Sequence, residues 1–570
     1  MKDFLLTHGR TRVAAALASL FATAFVVLAV VGTARMYTPV PFWDMWGATL
    51  GFYIAINDGA SWLWWAQHNE HRIVLSRLLF WLDYEVFGGL SVFLLVMNYV
   101  IVALGVLLFY RIGHARMANE PARRHIVFFT TCFITAWLYQ WIQHENLAWA
   151  FQSQFFLAQL LPLCAFYVLH KSASNDKAHL TFAAACLLGA ASAGTMANGI
   201  LALPLMTVYA LATRMRLWQT LILAVFTAVT LGLYLHDYNS PEYHGSITDA
   251  LLQQPLQLAH YVALYLGTPF FYLFGQGISG DIAAGIATAV MAIIAFLCLF
   301  QSLRNPRENT LKLALVFCVI YLVGTAVGTA GGRLMFGVYQ AISYRYTTPA
   351  LMAWACILML MLPVLWQTLR RFPRSGTGVA LLLLALMSVQ QFAAARAQHA
   401  LVANRNIAGL ALELGINDET QILNVHEMTD GLLRTVEVAS QENLTIFGIY
   451  PWRDLKQTLG RQARPASLPA CIGYLDTVTD IETDPGYIRV EGWLLNNEDR
   501  VIPGLITITD ASGTIAGYAL TGVPRPDVAD AVGSHAGLAG FRGYVSANMT
   551  GDTAIFVGDT APCELTTELP

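Results

Sequence analysis

Eleven apolar runs punctuate the first 395 residues, at 12–34, 86–110, 126–141, 152–170, 180–194, 199–213, 217–235, 282–301, 311–328, 346–368 and 377–395. A helix that crosses about 30 Å of hydrocarbon needs roughly 20 apolar residues. The pattern therefore predicts an α-helical polytopic membrane protein with about 11 spans, the shorter ones lining a protein-filled interior. A further apolar segment, 256–275, contains Gly267 and Pro269. It is read as a re-entrant or interfacial pair broken at those residues, because non-helical backbone at that depth must be covered by protein; one extra crossing is the alternative. The first run follows Arg10 and Arg12 without a clear small-residue cleavage site, so it is read as an uncleaved span rather than a signal peptide.

Between the runs the pattern changes twice. The first loop, 35–85, is long and holds Trp43, Trp46, Trp62, Trp64, Trp65 and Trp81. Two short helices, 47–57 and 70–83, are expected there, anchored at headgroup level by the tryptophans. After Ala395 the chain becomes polar. Residues 396–465 read as a mixed α/β connector, and residues 466–570 as an all-β domain. Its runs IRVEGWLL, GLITITD, IAGYALTG and TAIFVGDT alternate or stay apolar between Gly, Pro, Asn and Asp turns, which predicts a small β-sandwich-like domain.

Composition agrees with a membrane protein: of 570 residues 56% are hydrophobic and 12% charged, about half the charge of a soluble domain. A net charge of -3 leaves no basic excess for nucleic acid. The basic loops are Arg10/Arg12, Arg111 to Arg124, Lys171/Lys177, Arg214/Arg216, Arg304/Arg307/Lys312 and Arg370/Arg371/Arg374. They share one side if the N-terminus is cytoplasmic, and an odd number of crossings then places the C-terminal domain outside. Six of the eight cysteines lie in apolar runs as small hydrophobes, whereas Cys471 and Cys563 bracket the β region. A disulfide between them, just before the first strand and just after the last, is expected in an oxidising compartment. No Cys/His spacing implies a metal.

The loops of the outer side hold the candidate chemistry. Asp44, in PFWDMW, is a carboxylate at the lipid–water boundary beside Trp43 and Trp46, placed to accept a proton; a merely solvated loop carboxylate is the alternative. His68, Asn69, Glu70, His71, Arg72 and Arg77 form a dense polar group. Glu70 and His71 suit hydroxyl activation, Arg72 suits phosphate, and Asn69 suits either hydrogen bonding or a helix cap. His144 and Glu145, in QWIQHENLAW, offer a second half-site. Arg333, Arg345 and Tyr346 crowd another outer boundary, against the positive-inside bias, and a lipid-linked phosphate would explain them.

The long first outer loop with Asp44 just past the first span, the many spans and the external C-terminal domain resemble the GT-C membrane glycosyltransferases. The resemblance covers about residues 10–395 and lies in topology more than in exact letters. It implies a polyprenyl-phosphate-linked sugar donor, membrane lipids around it and a cell-envelope glycan acceptor, lipopolysaccharide among the possibilities. Asp44 matches the family's catalytic acid of the first loop, and Arg345 its donor-phosphate ligand by position. No Asp-x-Asp pair surrounds Asp44, which argues against a metal-dependent paired-acid mechanism; no cofactor is implied. The β region resembles modules appended to bacterial surface-glycan enzymes, which implies acceptor contact or an envelope assembly partner. The expectation is an inner-membrane transferase that inverts the sugar by direct displacement with Asp44 as base. A flippase, a glycan polymerase and a non-catalytic assembly protein are the alternatives. The first should carry charge deep in its spans, where this chain has almost none.

Overall fold

The structure, a computed structural model, describes residues 2–174, 178–240, 245–428, 431–463, 468–496, 500–549, 553–560 and 562–569, with side chains throughout except at 2–11 and 377. Lys177, one of the basic loop residues, lies outside the described residues. By internal contacts the chain divides into two compact units. The first comprises residues 1–34, 62–79 and 94–396; the second comprises 35–61, 80–93 and 397–570.

The first unit is helical. Among the described residues eight helices are long and apolar enough to cross a membrane: Arg12–Met36, Val92–Arg116, Ala150–Ala173, Leu217–Leu235, Ile278–Arg304, Thr310–Phe336, Tyr344–Arg371 and Pro373–Ala395. A ninth crossing results if Arg123–Leu138 and Trp141–Ala148, bent by 41°, form one span. The expected eleven also included the runs at 180–194 and 199–213. These form the apolar helices His179–Ser192, of 14 residues, and Ala202–Ala212, of 11. At 1.5 Å per residue they reach roughly 21 and 16 Å, short of the hydrocarbon thickness.

For the helices used below we write α1 for Lys2–Met36, α2 for Val92–Arg116, α3 for Arg123–Leu138, α4 for Ser153–Ala173, α5 for Pro255–Phe274, α6 for Ile278–Arg304, α7 for Thr310–Arg333, α8 for Thr347–Arg371 and α9 for Pro373–Phe392. The expected break at Gly267 and Pro269 is absent: α5 runs unbroken through both. A proline inside a helix removes one N–H and orphans the carbonyl four residues back, a cost of about 3 kcal/mol. Here each orphan has another donor. Below Pro269, the Thr268 hydroxyl shares its one proton between Leu264 O at 2.7 Å and Tyr265 O at 2.9 Å. Below Pro162 of α4, the Tyr321 hydroxyl donates to Ala158 O at 2.7 Å. Below Pro363 of α8, Arg116 Nε donates to Met359 O at 3.1 Å. Gly267 is not a hinge either. A Cβ there would stand 2.4 Å from Ala284 O of α6, so the glycine permits close helix contact.

The second unit is built on one antiparallel seven-stranded sheet: β1 Cys471–Asp480, β2 Tyr487–Asn496, β3 Leu505–Asp510, β4 Ile515–Val523, β5 Gly540–Ser546, β6 Thr553–Gly558 and β7 Glu564–Glu568, in the order β1-β2-β5-β4-β3-β6-β7. Two facing sheets were expected, but the single sheet curls until its ends meet, nearly as a barrel. Ala470 bridges to Glu564, and the Cys471–Cys563 disulfide joins the same edges with Cα atoms 5.0 Å apart. Cys563 precedes the last strand rather than following it, because Glu564–Glu568 forms β7.

Alternate residues of β4 and β5 serve two cores. Ala519 and Val545 pack with Leu494, Ile506, Phe541 and Phe556 inside the curl. Tyr518, Leu520 and Tyr544 pack outside it against Ile407, Leu410, Ala411 and Leu414 of the helix His399–Leu414. The second core also takes in Val40, Trp46, Leu50, Tyr53 and Tyr84 of the early chain. Trp46 is 2% exposed and lies wholly inside that core. The expectation that it anchors the loop at the headgroups, or binds substrate, is therefore corrected: burial against aliphatic neighbours outweighs what an interfacial position would gain.

Candidate functional site

In the first unit the chain turns sharply at 68–71. His68 N–H donates to His71 O at 2.7 Å, and His71 N–H donates back to His68 O at 2.8 Å. Asn69 takes the left-handed conformation that this turn needs, φ 48°, a role asparagine tolerates better than most residues. It caps no helix. Arg72 holds the turn in place. Its guanidinium donates to Tyr234 O at 2.9 Å, Trp65 O at 2.7 Å and His236 O at 2.6 Å. It is buried and lies over the rings of Trp65 and Tyr234. The expected phosphate role of Arg72 is corrected accordingly: the side chain is buried and three of its five N–H donors go to main-chain carbonyls.

That bracket presents Glu70 and His71. His71 Nδ1 accepts from Ala197 N–H at 3.1 Å, which leaves the proton of the neutral ring on Nε2. Nε2 stands 3.5 Å from Glu70 Oε1. On the other side of the carboxylate, Arg333 Nη2, from the last residue of α7, is 3.5 Å from the same oxygen.

A second pair lies beside the first. Arg345, in the turn Tyr344–Tyr346 that leads into α8, has Nε 3.7 Å from Glu145 Oε1. Main-chain contacts set this pair. Asn146 Nδ2 donates to Arg345 O at 2.7 Å and to Thr348 Oγ1 at 2.7 Å. Asn98 Nδ2 donates to Asn146 O at 3.1 Å. His144 packs its ring 4.2 Å from that of Tyr344, and its Nδ1 lies 3.2 Å from Trp141 O. His144 is thus a wall of the site.

Tyr346 connects the two pairs. It is buried, stacks on Tyr265 and feels all four charges of Arg345, Arg333, Glu70 and Glu145. At 3.5 Å Arg333 Nη2 makes a long hydrogen bond to Glu70 Oε1, and at 3.7 Å Arg345 Nε is in Coulombic contact with Glu145 Oε1, both beyond the usual 2.7–3.2 Å. Arg345 Nε is buried and makes no hydrogen bond. The four charged side chains are between 24% and 32% exposed, so they remain reachable. Tyr261 of α5 completes the group: it is fully buried, its hydroxyl has no hydrogen-bond partner, and it lies within electrostatic reach of Arg333 and Arg345. Reading 256–275 as a broken interfacial pair hid Tyr261. The signal that would have found it is the i, i+4 repeat Tyr261/Tyr265, which sets both rings on one helical face.

Asp44 and Trp43 belong to the second unit. Trp43 is 38% exposed in a left-handed turn, and its N–H donates to Val425 O at 2.7 Å. Asp44 is half-buried and opens the wide helical turn Trp46–Gly51, its carbonyl accepting from Ala48 N–H at 2.7 Å. The candidate residues thus divide: Glu70, His71, His144, Glu145, Arg333, Arg345 and Tyr346 converge in the first unit, while Asp44, Trp43 and Trp46 lie in the second. Among the described residues no group of three His, Cys, Asp or Glu is placed to hold a metal ion. Comparison with protein-family models, with curated proteins and with solved structures finds no match for this chain.

Proposed function

We propose that the first unit transfers a sugar from a polyprenyl-phosphate donor to a glycan of the cell envelope, at the membrane face that holds Arg333 and Arg345. The observation that carries this reading is the pair of guanidinium groups held beside Glu70 and Glu145 around buried Tyr346, Arg333 by one long hydrogen bond and Arg345 Nε by charge alone. Two guanidinium groups match the charge and geometry of a phosphate. As they turn to it, their carboxylates lose a counter-ion and become better proton acceptors. An acceptor hydroxyl then attacks the anomeric carbon. Its proton passes to a carboxylate, the bond from the anomeric carbon to the phosphate oxygen breaks, and the electron pair leaves on the lipid phosphate. One displacement inverts the anomeric centre. Asp44 is a candidate base on the sequence argument, Glu70 and Glu145 on the geometry.

The inner membrane with a cytoplasmic N-terminus is part of the proposal. It is supported by the basic residues that flank the spans, Arg12, Arg116, Arg123, Arg370 and Arg371 among them. The test is titration of a polyprenyl-phosphate sugar into the purified protein. Arg333→Ala and Arg345→Ala should each weaken binding at least tenfold, as expected for a charge-assisted contact of about 1.5–3 kcal/mol. Unchanged binding in the double variant overturns the reading. Lipid-linked sugar carried across a vesicle membrane without transfer would replace it with transport.

A further inference from the structure

Arg345 stands at the start of α8. Twenty residues later, at 1.5 Å per residue and so roughly 30 Å away, the same helix walls a cavity of about 810 Å³. The cavity therefore lies at the opposite membrane face from the paired arginines. It is a half-open cleft lined mainly by α3 and α8, with Arg12 of α1 and Ala380 of α9 at its edges, and most of its lining is apolar, including Phe129, Phe133, Leu362 and Trp366. A volume near 800 Å³ falls within the usual range for ligand sites, about 300–1,000 Å³.

Three observations say what fits. First, the helices at its edges turn large apolar side chains outward, with Val13 and Leu17 of α1 and Leu381 and Leu382 of α9 all exposed. Such faces meet lipid, so an occupant arrives from the bilayer. Second, among the described residues the ionisable side chains of the lining are Arg12 and His125, both exposed. Arg12 immediately precedes the apolar run that starts at Val13 and His125 lies in the first turn of α3, so both stand at the water boundary. Arg123, Arg124, Arg370 and Arg371 occupy the same helix ends, and Glu120 faces Arg370 at 3.7 Å. Third, Trp366 Nε1 is buried and makes no hydrogen bond, so a donor in the wall is left for an oxygen of the occupant.

We propose that this cavity binds an anionic phospholipid of the bilayer. Acyl chain lies among Phe129, Phe133 and Leu362, the phosphate meets Arg12 and His125, and Trp366 donates to an ester or phosphate oxygen. The inference does not depend on the transferase reading.

The test compares the full chain in nanodiscs of phosphatidylglycerol and of phosphatidylcholine, with retained lipid counted by native mass spectrometry after extraction. Wild type should retain phosphatidylglycerol and not phosphatidylcholine. Arg12→Gln with His125→Gln should lose about tenfold or more of that preference. Both side chains are exposed, so folding should be unaffected. Ala380→Trp, which fills the cavity from an exposed position on α9, should abolish retention of either lipid. Equal retention of the two lipids by wild type, or phosphatidylglycerol retention unchanged in the double variant, overturns the proposal. Displacement of phosphatidylglycerol by equimolar polyprenyl phosphate would make the cavity a carrier-lipid site and overturn it as well.

Discussion

The hydroxyl of Tyr321 donates to the carbonyl of Ala158, the group that Pro162 leaves without a helical donor. A carbonyl orphaned inside a membrane bundle has no water to turn to. Tyr321→Phe should therefore destabilise the first unit by about 1–2 kcal/mol, read as a lower unfolding temperature in detergent. Pro162→Ala restores the backbone N–H and should recover most of that loss when combined with Tyr321→Phe. A strictly additive double variant would show that the two residues are not coupled through this carbonyl.

Glu145→Gln and Asp44→Asn separate the roles proposed for carboxylates. Glu145→Gln removes the anion that competes for Arg345, so donor binding should tighten, by up to about fivefold given the usual strength of partly exposed ion pairs. Asp44→Asn should leave donor binding unchanged. Whichever residue is the base should lose roughly 10²–10⁴-fold in single-turnover transfer when neutralised. Near-normal transfer by Asp44→Asn would remove that assignment and leave Glu70 and Glu145.

Glu413 is 2% exposed, and Ser440 donates to it at 3.0 Å. Burial pushes its carboxyl up to about 7 from the ordinary 4.5. The folded form therefore holds a proton that the unfolded chain releases between these values. Its stability contribution is full below about pH 4.5, falls as pH rises to about 7, and is flat beyond. Glu413→Gln should remove this slope and raise the unfolding temperature of the second unit at pH 8. Parallel stability–pH curves for the two proteins would refute the assignment.

Reducing the Cys471–Cys563 bond should cost the second unit about 2–5 kcal/mol. The bond closes a long loop, with a sequence separation of 92, and it pins the two edges of the curled sheet. Unfolding with and without reductant measures the loss, and Cys563→Ser should reproduce it. Equal stability in both states would mean that the Ala470–Glu564 pairing closes the sheet unaided.

The apolar runs and the cysteine pair were legible because hydrophobicity over a window and the placement of two thiols are properties of the chain itself. Other features depend on partners far away in sequence. Pro269 reads as a helix break until Thr268 is seen to serve Tyr265 O. Arg72 reads as a phosphate ligand until the carbonyls of Trp65, Tyr234 and His236 surround it. Trp46 has the composition of an interfacial anchor, and only the helix His399–Leu414 and its neighbours make it core. The convergence of Glu70, Glu145, Arg333 and Arg345 on Tyr346 joins segments that periodicity cannot relate.

The backbone leaves one unit for the other after residues 34, 61, 79, 93 and 396. This interleaving sets a timetable for biogenesis. Val40, Trp46, Leu50, Tyr53 and Tyr84 are synthesised early, yet their core partners begin at Ala403, more than 300 residues after Tyr84. At roughly 5–20 residues per second the ribosome needs tens of seconds to supply them. Contacts so remote along the chain form slowly. Until they form, an apolar, Trp-rich loop waits without a core, and its nearest refuge is the bilayer surface. A ribosome that stalls after Arg396 would therefore leave the defect near the start of the protein, where misfolding and proteolysis would first be seen.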